Sequence, residues 1–370
     1  MKKRVLTVFT ALACLASATC SVYAAEEKKE TRTVVDHAGN EVELPDEIDR
    51  IAIVGLTPLA SVYCMLTGST DKLVGIDSYT QNAAVHSIMN RAFPELGELP
   101  TSFIEEDVIN TEELLKLGPD LVFTHAAIPD QYEACEAAGI PCVQVSPNLF
   151  ADEDYNVIKT LNAWVELLAE VLEIDNTASE MIAYGEQVEN SVREKASTIP
   201  EEDRVNVLVL ANYNDNTITA AGQSFSKYWC ETVGGNYMTD DIAGFTAELD
   251  MESIYVMNPD VIYLSSFSAY TPEDFYNNTA GEGQDWSSVK AVQDKRVYKF
   301  PLGTYYWYPP SSDAPLSLMW MASTMYPEVY SEIDLDQEIR DYYEKYYGIE
   351  VTDEELLNIY FPSEESAANW

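Results

Sequence analysis

The chain carries one short pattern twice, once in each half. Residues 110–123 and 250–263 each start with Asn or Asp, continue as a short amphipathic segment, and reach a Pro-Asp pair followed by apolar residues. This order predicts a helix, a stop and a buried strand in both copies. A duplicated helix–turn–strand unit favours two related α/β lobes, and a chance likeness of two such units is the alternative.

The apolar segments around the two copies indicate strands that alternate with helices, which is typical of parallel sheets. A long helical region begins near Asp154, and its second part starts at Thr177, where Glu180 would complete a capping box. This second part runs to Pro200, and about 20 residues at 1.5 Å each span roughly 30 Å. We therefore predict two α/β lobes with parallel-type sheets, joined by a single long helix, with a ligand cleft between them.

The predicted division of the chain follows from these segments. It comprises a signal peptide at 1–24, a first α/β lobe at 25–172, a linking helix at 173–198, a second α/β lobe at 199–312, and C-terminal helices at 313–370 that pack back on the lobes.

The N-terminus indicates export. Three basic residues at positions 2–4 precede an apolar run that ends at Thr19, which is too short for a permanent membrane anchor. Small residues at Val22 and Ala24 predict cleavage after Ala24, and attachment of a lipid to Cys20 is the alternative. In either case the protein is expected in the periplasm or at the cell surface.

Acidic residues greatly outnumber basic ones. The 21 Lys and Arg residues against 63 Asp and Glu residues give a formal net charge of −42. Such a surface keeps a protein soluble and repels nucleic acid and anionic lipid, so neither is an expected partner. A chain of 370 residues can hold two domains with cores of their own, and we expect a monomer.

Four cysteines remain after the predicted cleavage, and none has the spacing of a metal cluster. Cys135 and Cys142 flank one helix-to-strand step. They could form a disulfide in an oxidising compartment, or they could be two small buried thiols.

A series of short segments runs through the chain in a fixed order. They lie at 35–39, 73–77, 112–122, 138–141, 234–236, 252–261, 286–298 and 315–328. In this order and spacing the chain resembles the class III periplasmic binding proteins that serve importers of ferric siderophores, haem and corrinoids.

This resemblance implies a ligand bound between the lobes and docking to an ABC permease, which works with its own cytoplasmic ATPase. In such proteins one glutamate on each lobe meets arginines of the permease, and Glu112 and Glu252 stand at the matching positions. Both acids also lie early in a predicted helix, where the helix dipole favours a negative charge, so simple helix stabilisation is the alternative.

Residues that contact the ligand should lie at strand ends and in the loops that face the other lobe. The run Tyr305-Tyr306-Trp307-Tyr308 cannot be buried on one face of a strand, since alternate side chains point opposite ways, and we expect two of the four to line the site. The predicted ligand-binding residues are Thr57, Tyr79, Arg91, Phe103, His125, Tyr213, Ser224, Phe225, Phe267, Tyr270, Tyr305, Tyr306 and Trp307.

Arginine is scarce in the second lobe, and Arg91 is the convenient candidate in the first. Because anionic ligands are ordinarily bound by arginine clusters, we predict a ligand of low net charge. A siderophore-type iron chelate is expected, with a corrinoid or haem as alternatives, and no resident cofactor. His125 could be an axial ligand of the metal in the chelate, or only a hydrogen-bonding residue; no direct protein metal site is predicted otherwise.

The alternatives from other classes are a hydrolase and a surface protein that binds without transport. Gly222 to Ser226 resembles the nucleophile elbow of a hydrolase, but it lacks the final glycine and no histidine follows Ser224. We therefore do not expect an enzyme. A surface protein that binds without transport, such as an adhesin, stays an alternative.

Overall fold

The structure is a computed structural model that describes residues 31–153, 155–174 and 176–367. The predicted signal peptide and Cys20 lie outside the described residues. Within the described ranges, no helix has the length and apolar character needed to span a membrane.

The first lobe is built on a four-stranded sheet of the order β4-β3-β7-β8, and all its neighbouring strands run parallel, as predicted. Two antiparallel hairpins, β1-β2 and β5-β6, flank this sheet. The strands are β1 (Thr31–Val35), β2 (Glu41–Pro45), β3 (Ile51–Ile53), β4 (Leu73–Ile76), β5 (Ile104–Glu105), β6 (Val108–Ile109), β7 (Leu121–His125) and β8 (Cys142–Val145).

Helices cover both faces of this sheet, which explains why the residues of β3, β7 and β8 are almost all buried. They are α1 (Leu59–Thr67), α2 (Ser78–Val85), α3 (Met89–Ala92), α4 (Thr111–Leu117), α5 (Pro129–Ala138) and α6 (Val157–Leu172), with 3₁₀ turns at Pro94–Glu98 and Ala151–Glu153.

A single helix, α7 (Asn176–Ala196), leads from the first sheet to the second. Its 21 residues span about 30 Å, and it begins one residue before the predicted Thr177. Its buried residues recur at helical spacing, and the helix packs against α6 and the C-terminal helix Ala314–Met325. The prediction of two α/β lobes joined by one long helix is therefore confirmed.

The second lobe contains a six-stranded sheet of the order β12-β10-β9-β13-β14, with β11 also paired to β9. Its elements are β9 (Asn206–Asn214), β10 (Thr217–Ala221), α8 (Phe225–Thr232), β11 (Asn236–Tyr237), β12 (Thr246–Leu249), α9 (Met251–Met257), β13 (Val261–Leu264), α10 (Pro272–Tyr276), α11 (Lys290–Gln293) and β14 (Val297–Lys299), after a 3₁₀ turn at Glu201–Asp203.

The second sheet differs from the parallel-type sheet that the sequence predicts. Strands β11, β9, β13 and β14 pair in parallel, whereas β10 and β12 are antiparallel additions. The reason is a tight hairpin after Asn214, in which Asp215 adopts the left-handed conformation (φ 49°) and turns the chain back along β9.

The C-terminal segment packs against both lobes. It consists of α12 (Ala314–Met325), α13 (Leu335–Tyr347), α14 (Asp353–Tyr360) and a 3₁₀ turn at Glu364–Ala367. Helix α12 contacts α6, α7 and α8, and α13 contacts α1. One apolar core therefore runs from the first lobe through these helices into the second.

The two copies of the repeated pattern have equivalent structures. Helices α4 and α9 are capped by the side chains of Asn110 and Asp250, and each ends at a left-handed residue. The aspartate that follows each helix binds the backbone at the start of the central strand: Asp120 Oδ2 accepts the Arg50 N–H at 3.0 Å, and Asp260 Oδ2 accepts the Asn206 N–H at 2.8 Å. The duplication is thus a duplication of hydrogen-bonding roles.

Candidate ligand-binding site

A cavity of about 600 Å³ lies between the two lobes. This volume is within the range of sites that bind drug-sized molecules. Residues of both lobes line it: Gly55, Leu56, Thr57, Pro58, His125, Pro147, Asn148, Trp164, Ala211, Asn212, Thr219, Phe225, Phe245, Thr246, Phe267, Tyr305, Tyr308, Pro309 and Pro310.

The cavity lies at the carboxyl ends of the parallel strands. In the first lobe, its residues follow β3, end β7 and follow β8, and in the second lobe Phe267 lies shortly beyond β13. The carboxyl ends of parallel strands meet at one edge of a sheet, where loops are free to bind a ligand. The two such edges face each other across the cavity.

The two lobes are hydrogen bonded to each other at the cavity wall. The hydroxyl groups of Thr57 and Tyr305 form a hydrogen bond with each other. Thr80 Oγ1 donates to the Thr57 carbonyl at 3.0 Å and so fixes the loop that carries Thr57. Burial raises the pKa of the Tyr305 phenol well above 10, so this group stays protonated.

Aromatic rings form the wall on the side of the second lobe. Phe225 contacts Tyr308 and Phe245 edge to face, with ring centroids 5.0 and 5.4 Å apart. The Tyr308 hydroxyl bonds with Ser226 Oγ at 3.1 Å, and the Tyr308 carbonyl accepts the Trp229 indole N–H at 2.9 Å. These contacts hold the rings in place before any ligand arrives.

His125 ends β7 at the cavity. Its backbone N–H donates to Gln131 Oε1 at 3.2 Å, and its Nδ1 accepts the Ala127 N–H at 3.0 Å. Burial lowers the pKa of the imidazole, and the charge of Asp107 opposes this only in part. A neutral ring whose Nδ1 accepts a hydrogen bond carries its proton on Nε2. The ring is therefore arranged as a hydrogen-bond donor rather than as a metal ligand through Nε2.

The wall carries no formal charge at neutral pH. Among the described residues that line the cavity, none is Asp, Glu, Lys or Arg. This contrasts with the net charge of the chain, −42. The polar groups of the wall are hydroxyls, amides and one imidazole.

The cavity brings together five of the predicted ligand-binding residues. They are Thr57, His125, Phe225, Phe267 and Tyr305. Of the aromatic run at 305–308, Tyr305 and Tyr308 face the cavity. Whether these side chains touch a ligand stays a prediction.

Four predicted residues are instead packed in the interior, which corrects their expected placement. Phe103 lies against Gly75, and the Tyr213 hydroxyl donates to the Ala280 carbonyl at 2.9 Å inside the second lobe. The Tyr306 hydroxyl donates to the Ser366 carbonyl, and the Trp307 indole N–H donates to Asp313 at 3.1 Å. In each case a backbone or carboxylate acceptor, or close packing, satisfies the side chain away from the cavity.

The other four predicted residues lie away from the cavity for other reasons. Arg91 forms a salt bridge with Glu355 at 2.7 Å and also binds the Glu350 carbonyl, so the C-terminal segment neutralises it. Ser224 is buried as the cap of α8. Tyr270 packs on Tyr213, with ring centroids 4.6 Å apart, and Tyr79 is half-buried on α2.

Sequence reasoning missed several residues of the wall. Asn212 and Thr219 reach the cavity because β9 and β10 form the hairpin that was not foreseen. Trp164 lies on the buried face of α6, and its indole N–H donates to the Ser146 carbonyl at 2.8 Å. Of these residues, only Phe245 has a local sequence feature that indicates a loop facing the cavity, since it is an apolar residue directly after Gly244.

The cysteines that the structure describes are free and buried. Cys135 and Cys142 are both buried free thiols, and Cys142 Sγ is hydrogen bonded with Thr124 Oγ1 at 3.2 Å. Of the two alternatives, the structure therefore contains the pair of buried thiols. Within the described ranges there is no group of three or more His, Cys, Asp or Glu residues that could hold a metal ion.

A sequence profile described as "Periplasmic binding protein" matches residues 51–302. The chain belongs to the periplasmic binding protein family. More narrowly it is a class III member, as the resemblance implied, and such members are the substrate-binding components of ABC importers rather than enzymes.

Individual relatives agree with this assignment. A periplasmic solute-binding protein from Veillonella parvula has a crystal structure with a TM-score of 0.79 and 31% sequence identity, over 90% of this chain and 97% of that one. The molybdate-binding protein MolA of Haemophilus influenzae is 25% identical over 332 residues, 85% of this chain and 91% of that one. Helicobacter pylori CeuE with bound Ni(II) shares the fold, with a TM-score of 0.67 and 24% identity, over 89% of this chain and all of that one.

In this periplasmic binding protein the two acids at the matching docking positions are both exposed. Glu112 and Glu252 each lie in the first turn of a repeat helix, α4 and α9. The Glu112 side chain is 82% exposed, and its partner Lys116 lies 3.3 Å away on the same helix. An exposed salt bridge such as Glu112–Lys116 contributes little to stability, so this contact does not prevent Glu112 from binding another protein. The Glu252 side chain is exposed as well.

Proposed function

We propose that this protein captures a metal chelate of low net charge outside the cytoplasmic membrane and delivers it to the permease of an ABC importer. The observation that carries the proposal is the uncharged, aromatic cavity of about 600 Å³ between the lobes. Export through the predicted signal peptide, with cleavage after Ala24 or lipid attachment at Cys20, belongs to the same proposal.

The character of the wall supports a chelate over a bare ion. A free oxyanion or metal ion is normally held by several charged or converging ligands, because an unpaired buried charge is costly. A chelate arrives with its metal already coordinated and presents organic surface outward. Aromatic rings such as Phe225, Phe267 and Tyr308 favour contact with that surface.

The charge of the wall favours some chelates over others. In a ferric trihydroxamate, three monoanionic hydroxamate groups neutralise Fe(III), whereas a ferric tris-catecholate retains three negative charges. With no Lys or Arg among the described residues of the wall, the first kind is the better fit. Corrinoid and haem remain alternatives because both present flat macrocycles to aromatic rings.

Delivery is proposed to use Glu112 and Glu252. Their positions at equivalent turns of the repeat support contacts with two arginine-bearing surfaces of the permease. Carboxylate–arginine pairs are among the strongest polar contacts between proteins. A surface protein that binds a chelate without transport would have no use for this symmetry.

The test uses the chain from residue 25 onward, purified without added ligand. Its melting temperature is measured with ferrioxamine B, ferric enterobactin, haemin, cyanocobalamin and sodium molybdate, and native mass spectrometry gives the stoichiometry. We expect ferrioxamine B to raise the melting temperature most, with one molecule bound per chain. A shift with molybdate alone, the ion in the name of MolA, would overturn the chelate proposal.

Transport is tested separately in the source organism. Deletion of the gene should abolish uptake of radiolabelled iron from the bound chelate, and the intact gene should restore it. Unchanged uptake in the deletion strain would favour the non-transport alternative.

A further inference from the structure

A buried carboxylate stands at the end of the loop that carries Tyr305 and Tyr308. Asp313 is fully buried. Three donors of the loop converge on its Oδ2: the Thr304 N–H at 2.6 Å, the Tyr305 N–H at 3.4 Å and the Trp307 indole N–H at 3.1 Å. We call residues 301–313 the bridging loop.

The bridging loop is bonded to the first lobe along its length. The Ile88 N–H donates to the Gly303 carbonyl at 3.3 Å, and Ser61 Oγ bonds with Ser312 Oγ at 2.9 Å. The Thr57–Tyr305 bond lies between these two contacts. The loop therefore joins the lobes next to the cavity, in addition to the connection through α7.

Asp313 has no cation to offset its burial. No salt bridge to it occurs among the described residues, and its Oδ1 has no hydrogen-bond partner. The groups that face it from α13 are the phenols of Tyr342, Tyr343 and Tyr347. Burial raises the pKa of the carboxyl to about 6, against the hydrogen bonds that favour the ionised form.

Close packing around the bridging loop restricts the conformations that it can adopt. A Cβ on Gly303 would collide with the Tyr343 hydroxyl and with Asp313 Oδ2, so only glycine fits there. A buried carboxylate without a cation is costly, and in some proteins such a group is retained because it specifies one conformation. Here the conformation that it specifies is the one that turns Tyr305 and Tyr308 into the cavity.

We propose that Asp313 is a positioning residue of the binding site: by holding the bridging loop, its carboxylate sets the shape of the aromatic wall and hence ligand affinity. The claim that Asp313 affects ligand affinity rests on the proposed function. The claim that Asp313 fixes the conformation of the bridging loop does not depend on it.

Two variants separate these claims. Asp313→Ala removes every side-chain acceptor, whereas Asp313→Asn can keep one oxygen for the loop donors and replaces Oδ1, which has no hydrogen-bond partner, with an amide N–H₂. Tyr330→Phe is the control, because it removes a buried phenol that donates to the Val192 and Val233 carbonyls away from the cavity. Amide hydrogen exchange is measured without ligand at Thr304 and Tyr305, and the Kd of ferrioxamine B is measured by fluorescence.

With Asp313→Ala we expect exchange at the two amides to accelerate at least 10-fold and the Kd to rise at least 10-fold. Asp313→Asn should not accelerate exchange at either amide, because it keeps an acceptor oxygen and loses the cost of the buried charge, and its Kd should stay within about threefold of the wild type. Tyr330→Phe should lower the melting temperature without changing the exchange or the Kd. Unaltered exchange at Thr304 and Tyr305 in Asp313→Ala would overturn the proposal. Faster exchange in a protein whose wild type does not bind ferrioxamine B would leave the loop assignment standing and refute the proposed ligand instead.

If Asp313→Ala does not fold, the wild type supplies the test through pH. Opening of the loop exposes the carboxyl to water, where its pKa returns toward the ordinary value, so the open form is favoured as pH rises. Exchange at the two amides, corrected for intrinsic rates, should therefore be about 10-fold faster at pH 8 than at pH 5. The measurement is made in His125→Gln, because His125 is a titratable residue that lines the cavity. Asp77 is a second buried acid, close enough to Tyr305 to act on its phenol, and Asp77→Asn must leave the effect intact. Exchange that is independent of pH in both backgrounds would contradict the proposal.

Discussion

The hydroxyls of Thr57 and Tyr305 are hydrogen bonded across the boundary between the lobes. Residues 248 positions apart thus meet at the wall of the cavity, where Thr57 follows β3 and Tyr305 belongs to the bridging loop. The bond makes the width of the cavity a property of both lobes together.

Removal of this hydrogen bond should therefore weaken the association of the two lobes and lower the stability of the protein. Thr57→Val and Tyr305→Phe should each lower the free energy of unfolding by about 1 kcal/mol, the usual net worth of one hydrogen bond. The double variant should lose little more than either single one, because the two changes break the same bond. Urea unfolding of the four proteins measures this, and full additivity would contradict the bond.

The aromatic wall should determine affinity. Phe225→Ala and Tyr308→Ala each remove a ring from the cavity, and we expect the Kd for the bound chelate to rise at least 10-fold, or about 1.4 kcal/mol. Phe361→Ala is the matched control, since that ring is 75% exposed and lies outside the cavity. Equal losses in all three variants, measured by fluorescence titration, would show that the rings act through general stability.

His125 should act as a donor rather than as an axial metal ligand. Because its Nδ1 accepts the Ala127 N–H, His125→Gln should weaken binding about 10-fold through the lost hydrogen bond. The visible absorption spectrum of the bound chelate should not change. A shifted spectrum would instead show that the imidazole coordinates the metal.

Asp313 should make stability depend on pH in a specific direction. Its pKa is raised from 3.8 to about 6, so the folded state binds more protons than the unfolded state between these values. Its contribution to stability is therefore complete below pH 3.8 and is lost as pH rises through 6. Relative to the wild type, the free energy of unfolding of Asp313→Asn should rise by about 2 kcal/mol from pH 4 to pH 7. At 1.36 kcal/mol per pKa unit the full shift is larger, but part of it already lies below pH 4. Urea unfolding at the two pH values measures this, and a constant difference would place the pKa of Asp313 near its ordinary value.

The two repeat glutamates should act in transport and not in binding. Glu112→Lys with Glu252→Lys should abolish uptake of radiolabelled chelate in cells, while the Kd of the purified protein stays within twofold. Glu136→Lys with Glu248→Lys makes the same charge change at exposed positions outside the repeat turns and should leave uptake intact. A lost affinity in the first variant would make these acids part of the binding site.

Local sequence patterns were sufficient for much of the fold. Capping residues, Pro-Asp stops and buried strand segments lie within a few residues of the structure they specify, as in α4 and α9 with their caps Asn110 and Asp250. The hairpin of β9 and β10 was missed because its turn depends on a left-handed Asp215, a conformation that its residue type permits but does not require. For that reason the sequence does not predict Asn212 and Thr219 as residues of the site, although both line the cavity.

By itself, the sequence determined that the protein has two α/β lobes built on one repeated unit, a long helix between them, and an aromatic run that could not all be buried. Only the tertiary structure decided that Tyr305 and Tyr308 face the cavity while Tyr306 and Trp307 do not, and that Arg91 pairs with Glu355 instead of a ligand. The physical reason is distance along the chain: caps and periodicity act over one or two helical turns, whereas a cavity wall is set by contacts such as Thr57 with Tyr305, whose partners no local pattern identifies.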